Sequence, residues 1–143
     1  MSSHISFLTQ SRFYSPAFNA AIFDGPLRIY FAQYQEPLAL KIYFTAQQRL
    51  VEIYARVREV FRRTGINIFV MLYPSSEAFK MSFDQTANGG QMTTGPVVVE
   101  RLGTDFVVGV CGPISESDVE TVYERVEEIA RALVDTNQPE VLA

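Results

Sequence analysis

The sequence predicts an α+β fold: a mostly antiparallel, curved sheet with two amphipathic helices, in the element order βββαββββα. Three observations lead there. Short runs of alternating apolar and polar residues recur along the chain, bounded by Gly, Pro or Ser clusters, as half-buried strands joined by turns should be. Two longer segments carry apolar residues at spacings of three and four, the stripe of a helix lying on a sheet. Between them residues 66–72 (INIFVML) are almost continuously apolar, the pattern of a central strand covered on both faces.

Taken in order, residues 1–16 lack periodicity and form an irregular N-terminal segment. Residues 17–23 (AFNAAIF) make a first strand, and Asp24-Gly25-Pro26 turns the chain into a second, 27–34 (LRIYFAQY). Gln35-Glu36-Pro37 is a second turn. Leu38, Leu40, Ile42 and Phe44 then alternate with Ala39, Lys41 and Tyr43, which completes a three-stranded meander. Its core face is Leu27, Ile29 and Phe31 with Leu38, Leu40, Ile42 and Phe44.

Thr45 with Gln48 has the form of a capping box, and Leu50, Ile53, Tyr54, Val57, Val60 and Phe61 follow as one stripe, so a single helix should run to Gly65. After the central strand, 78–84 (AFKMSFD) alternates again, with Phe79, Met81 and Phe83 inward. Residues 85–96 (QTANGGQMTTGP) form a glycine-rich connection, and 97–102 with 106–111 make a hairpin. Ser115, or Ser117 with Glu120, should cap a last helix whose stripe runs from Val119 to Val134. Residues 136–143 are expected to be a flexible tail. The 143 residues fit one domain, large enough to bury a core without a metal or disulfide.

Composition narrows the chemistry. With one histidine (His4) and one cysteine (Cys111), a usual zinc site or a Ser-His-Asp or Cys-His pair is not expected. Asp84, Glu100 and Asp105 flank strands and could converge as an acid–base pair, although acids at loops and strand ends are common. The expectation is therefore a non-enzyme with no catalytic residues, no metal and no cofactor. The net charge of −4 argues against nucleic acid as a partner. No run of 18 apolar residues exists, so no membrane span is expected. The N-terminus lacks the basic and apolar regions of a signal peptide, and the single cysteine fits a cytoplasmic setting.

Charge is unevenly spread. Residues 49–63 hold five arginines against Glu52 and Glu59, whereas residues 113–143 hold eight acids against Arg125 and Arg131. Two solvated helix faces, or complementarity between subunits or with a partner, would each account for this. The second face of the expected meander interleaves tyrosines with cations. Arg28, Tyr30, Tyr34, Lys41 and Tyr43, together with Arg56 and Arg63 of the basic helix, are the candidate partner-binding residues. The sequence-level function is a protein–protein interaction module, homodimeric, acting as adaptor, regulator or secretion-type chaperone. The alternative is a small-ligand sensor or weak enzyme using the loop residues Asn88, Gly89, Gly90 and Gln91, whose consecutive glycines can form an anion-binding nest. In layout alone, the expected order is similar to sheet-and-two-helix regulatory domains of the roadblock/longin type and to the small acidic dimeric chaperones of type III secretion. That resemblance implies regulatory or chaperone roles.

Overall fold

The computed structural model describes residues 13–23, 25–83 and 96–136. Among these residues it is an α+β arrangement with an open, five-stranded mixed sheet and four α-helices. In chain order these are β1 (Ala20–Phe23), β2 (Leu27–Phe31), a 3-10 turn (Gln33–Gln35), α1 (Glu36–Arg49), α2 (Tyr54–Thr64) and β3 (Ile68–Leu72). Then follow α3 (Ser76–Phe83), β4 (Val97–Leu102), β5 (Asp105–Val110) and α4 (Glu116–Thr136).

The sheet order is β1-β2-β3-β5-β4. Its two outer pairs, β1–β2 and β4–β5, are antiparallel hairpins, and β3 runs parallel to both β2 and β5. The expectation of a mostly antiparallel sheet therefore holds at the edges and fails in the centre. The reason is the α1–α2 crossover, which carries the chain back to start β3 in the direction of β2. As the apolar run foretold, β3 is the middle strand and all five of its residues are buried.

One face of the sheet presents Leu27, Ile29, Phe31, Ile68, Val70, Leu72, Val108 and Val110 to a layer made by α1, α2 and α4. The opposite face presents Tyr30, Phe69, Met71 and Val107, covered by Phe13 and Phe18 of the N-terminal segment and by Phe79 of α3. Tyr73 is fully buried in this second cluster and donates its hydroxyl to the Phe13 carbonyl at 2.5 Å, which anchors the segment.

Three sequence expectations are corrected. Residues 38–44 are not a strand. They lie inside α1, which opens with Glu36 and Pro37 in its first turn, where proline's fixed φ and missing N–H are tolerated. The single helix expected from Thr45 to Gly65 is two. The chain turns at 50–53 through hydrogen bonds from Val51 N–H to Gln48 O and from Ile53 N–H to Leu50 O, with Leu50 and Ile53 pointed inward. The stripe itself was correctly identified, and Gly65 ends α2 with φ of 75°. Residues 78–84 are not a strand either. Most of them belong to α3, where Ser75 accepts the Ala78 N–H at 3.2 Å, Phe79 is buried and Met81 is exposed. The four-helix, mixed-sheet result also departs from the two-helix layout of the resembled domains.

The last helix is capped by Ser115 rather than Ser117. Its Oγ accepts the Asp118 N–H at 3.1 Å, and Asp118 Oδ2 accepts the Ser115 N–H at 2.9 Å. This reciprocal pair satisfies two of the N–H groups that a helix start leaves open. The helix reaches Thr136, where a flexible tail was expected to begin.

Candidate interaction surface

With residues 38–44 helical, the tyrosine-and-cation face expected of a meander does not exist. Its members separate. Arg28 and Tyr30 lie on the sheet face opposite the three-helix layer. There Arg28 Nε donates to Asn67 Oδ1 at 2.9 Å, and its guanidinium stands 4.6 Å over the Phe23 ring. Tyr30 is buried beside Phe69, with ring centroids 6.0 Å apart. Tyr43 is buried under α1, whereas Lys41 is exposed on its outer side. Tyr34 stands at the entrance to α1 and is 74% exposed.

Arg56 is exposed and lines a small cleft with Ile53, Arg131, Val134 and Asp135. Arg63 lies 3.7 Å from Glu59, which also pairs with Arg62. Asn88, Gly89, Gly90 and Gln91, with Asp84, lie outside the described residues. Of the other strand-flanking acids, Asp105 is buried and accepts the Asn67 backbone N–H at 2.8 Å.

One ion pair joins the basic segment to the acidic helix, and others lie within each segment. Arg49 of α1 meets Glu120 of α4 at 2.5 Å and stands 4.7 Å over the Tyr123 ring. Arg125 pairs with Glu128 at 2.7 Å and Arg131 with Glu127 at 3.0 Å. Such exposed pairs are each worth about 0.2–1 kcal/mol, too little to fix an orientation. The Arg125 and Arg131 pairs lie within α4, so they leave the charge imbalance between the two segments as it was.

The surface that lacks an ordinary explanation is the outer side of α1. Its inner side buries Ala39, Ile42, Tyr43 and Ala46, with Leu50 just past its end. Its outer side carries Leu40, 37% exposed, and Phe44, 57% exposed, and Val51 in the following turn is 71% exposed. Gln47, Gln48 and Tyr54 join Phe44 and Val51 around an open groove of about 480 Å³. Single exposed apolar residues are common, but several aligned on one helix face mark a contact site. Sequence reasoning assigned Leu40 and Phe44 to the core because they fit a period of two. The overlooked signal is the spacing 37-40-44-47-51, three and four in alternation.

Among the described residues, Tyr30 is the one side chain whose titration is clearly displaced. Burial raises its hydroxyl above the ordinary value of 10.0, and the positive charge of Arg28 pulls it partly back. Below pH 10 the phenol is protonated in both folded and unfolded chains. As the pH rises past 10 the unfolded chain loses that proton first, so stability falls. Urea titrations of wild type and Tyr30→Phe should diverge above pH 10, with the variant losing less stability. Parallel curves would contradict the assignment.

Among the described residues, no three His, Cys, Asp or Glu side chains stand close enough to hold a metal ion, and no helix is long and apolar enough to cross a membrane. No family model, curated protein or solved structure matches the chain.

Proposed function

We propose that the protein is a non-catalytic, homodimeric interaction module of the cytoplasm, an adaptor or regulator, which docks through the outer side of α1. The observation that supports this reading is the alignment of Leu40, Phe44 and Val51 in solvent along one side of α1 and its following turn, while the opposite side is fully engaged in the core. Lys41 flanks this stripe and Tyr34 stands at its entrance, so two of the seven residues expected to bind a partner belong to the proposed surface. The other five serve the core, the opposite sheet face or the α2 surface. An acidic chain of this charge is expected to bind protein rather than nucleic acid.

Magnitudes set the strength of such a contact. Burying exposed apolar surface stabilises by about 25 cal/mol per Å². Association costs about 4–15 kcal/mol in lost freedom. Three partly exposed side chains per copy leave a small surplus, so the dimer should dissociate on dilution.

The test is light scattering over a concentration series. Wild type should gain mass toward a dimer as concentration rises. Phe44→Glu should remain a monomer throughout while keeping its melting temperature, because the ring is largely outside the core. A wild type that stays monomeric at every concentration would defeat the reading.

A further inference from the structure

The outer stripe of α1 has a finer pattern, and its charged neighbours can be placed against it. Within α1, Pro37, Leu40, Phe44 and Gln47 are spaced three, four and three, which is the seam of a heptad repeat with Pro37 and Phe44 at a and Leu40 and Gln47 at d, and Val51 lies in the turn just beyond the helix end. Glu36 then falls at g and Lys41 at e of the next heptad. Both are exposed, and neither has an ion pair among the described residues.

The remaining flanking positions decide the orientation. Tyr43 occupies g and is buried in the chain's own core, and Gln48 occupies e. In an antiparallel pair of helices g faces g and e faces e. The g positions of α1 hold Glu36 and Tyr43 and its e positions hold Lys41 and Gln48, so neither charge would find an opposite. In a parallel pair, g of one helix lies beside e of the next heptad in the other. That places Glu36 beside Lys41 on both sides of the seam.

We propose that two copies of this chain pair through α1 in parallel register, each Glu36 facing the partner's Lys41 across a seam of Leu40, Phe44 and Gln47, with Val51 in the turn just beyond it. The proposal rests on the outer side of α1 being the docking surface, and it adds the partner and the register. Gln47 at d is the polar element within the seam, the kind of residue that favours one register at some cost in stability. The open groove beside Phe44, Gln47 and Val51 leaves room for the partner's side chains to enter.

Charge reversal tests the register. Glu36→Lys alone would set lysine against lysine on both sides, and Lys41→Glu alone would set glutamate against glutamate. Each variant should dimerise about tenfold more weakly than wild type, as expected of two exposed pairs turned repulsive. An equimolar mixture of the two variants should recover dimers, and native mass spectrometry should find them to be mixed pairs, because both cross-pairs are then opposite in sign. Circular dichroism of each variant checks that α1 is still folded. If both variants dimerise as wild type does while Phe44→Glu abolishes pairing, the parallel register is overturned and the docking surface stands. If the mixture yields no mixed pairs, the Glu36–Lys41 contact is overturned. A wild type that is monomeric throughout overturns the register and the surface together.

Discussion

Gly112→Ala is expected to destabilise the protein by about 3 kcal/mol, at the upper end of the usual cost of overpacking. A methyl group built at Gly112 would lie 2.5 Å from the Tyr73 carbonyl oxygen and 2.6 Å from that of Pro74. Both obstacles are backbone, so no rotamer change relieves them. The Tyr73 backbone is itself held by its N–H bond to Val110 O at 3.0 Å, where the chain leaves β3 and β5 side by side. Relief would require parting the two central strands at their ends. Thermal unfolding should show a loss of roughly 10 °C for a chain of this size. By contrast, nothing lies within 4 Å of a methyl group placed at Gly103, so the cost of Gly103→Ala is confined to its φ of 65°. Equal melting temperatures for Gly112→Ala and wild type would show that the two strand ends are not so closely joined.

Asp105→Ala should cost about 2–3 kcal/mol through a different mechanism. At the other end of the same strands, Asn67 is buried and donates its backbone N–H to Asp105 Oδ1 at 2.8 Å. Its side chain donates to Gly65 O at 2.9 Å and accepts from Arg28 Nε at 2.9 Å, and its carbonyl accepts the Phe106 N–H at 3.0 Å. The network thus joins β2, β3, β5 and the end of α2. Removing the Asp105 carboxylate leaves a buried N–H without an acceptor, which costs more than the net value of the bond itself. Asp105→Asn retains an acceptor oxygen and should recover more than half of the loss. Urea unfolding of the two variants distinguishes this from simple loss of charge, since equal destabilisation by Ala and Asn would point to charge instead.

These two sites bracket the part of the fold most legible in sequence. The INIFVML strand, the hairpin of 97–110, Gly65 at a helix end and the stripe of α4 all follow from short-range patterns that tertiary packing then reinforces. Residues 36–49 were harder because α1 is apolar on both sides. Ile42 faces the core, and Leu40 and Phe44 face out, so a helix with two apolar surfaces imitates the alternation of a strand. Pro37 added to this by resembling a turn when it occupies the first turn of a helix.

The break at 50–53 has no glycine or proline to announce it. It arises from Leu50 and Ile53 turning inward together, a consequence of packing against the sheet and α4. In α3 a serine cap and Glu77 in the first turn were present, but alternating Phe79 and Met81 outweighed them. The candidate surface was legible only at its margins, in Lys41 and Tyr34. Its apolar centre emerged once the helix separated Leu40 and Phe44 from the core.

The central claim, that the outer side of α1 meets a second copy of itself, is tested most directly by photo-crosslinking from position 44. Phe44 is replaced by the photoreactive benzoylphenylalanine in nitrogen-15-labelled chain and mixed with unlabelled chain. After irradiation, crosslinked peptides are mapped by mass spectrometry. The account predicts mixed-isotope crosslinks between position 44 and residues 36–51 of the other copy. Crosslinks confined to a single chain, or directed to a different face such as α2 or the β4 edge, would contradict it.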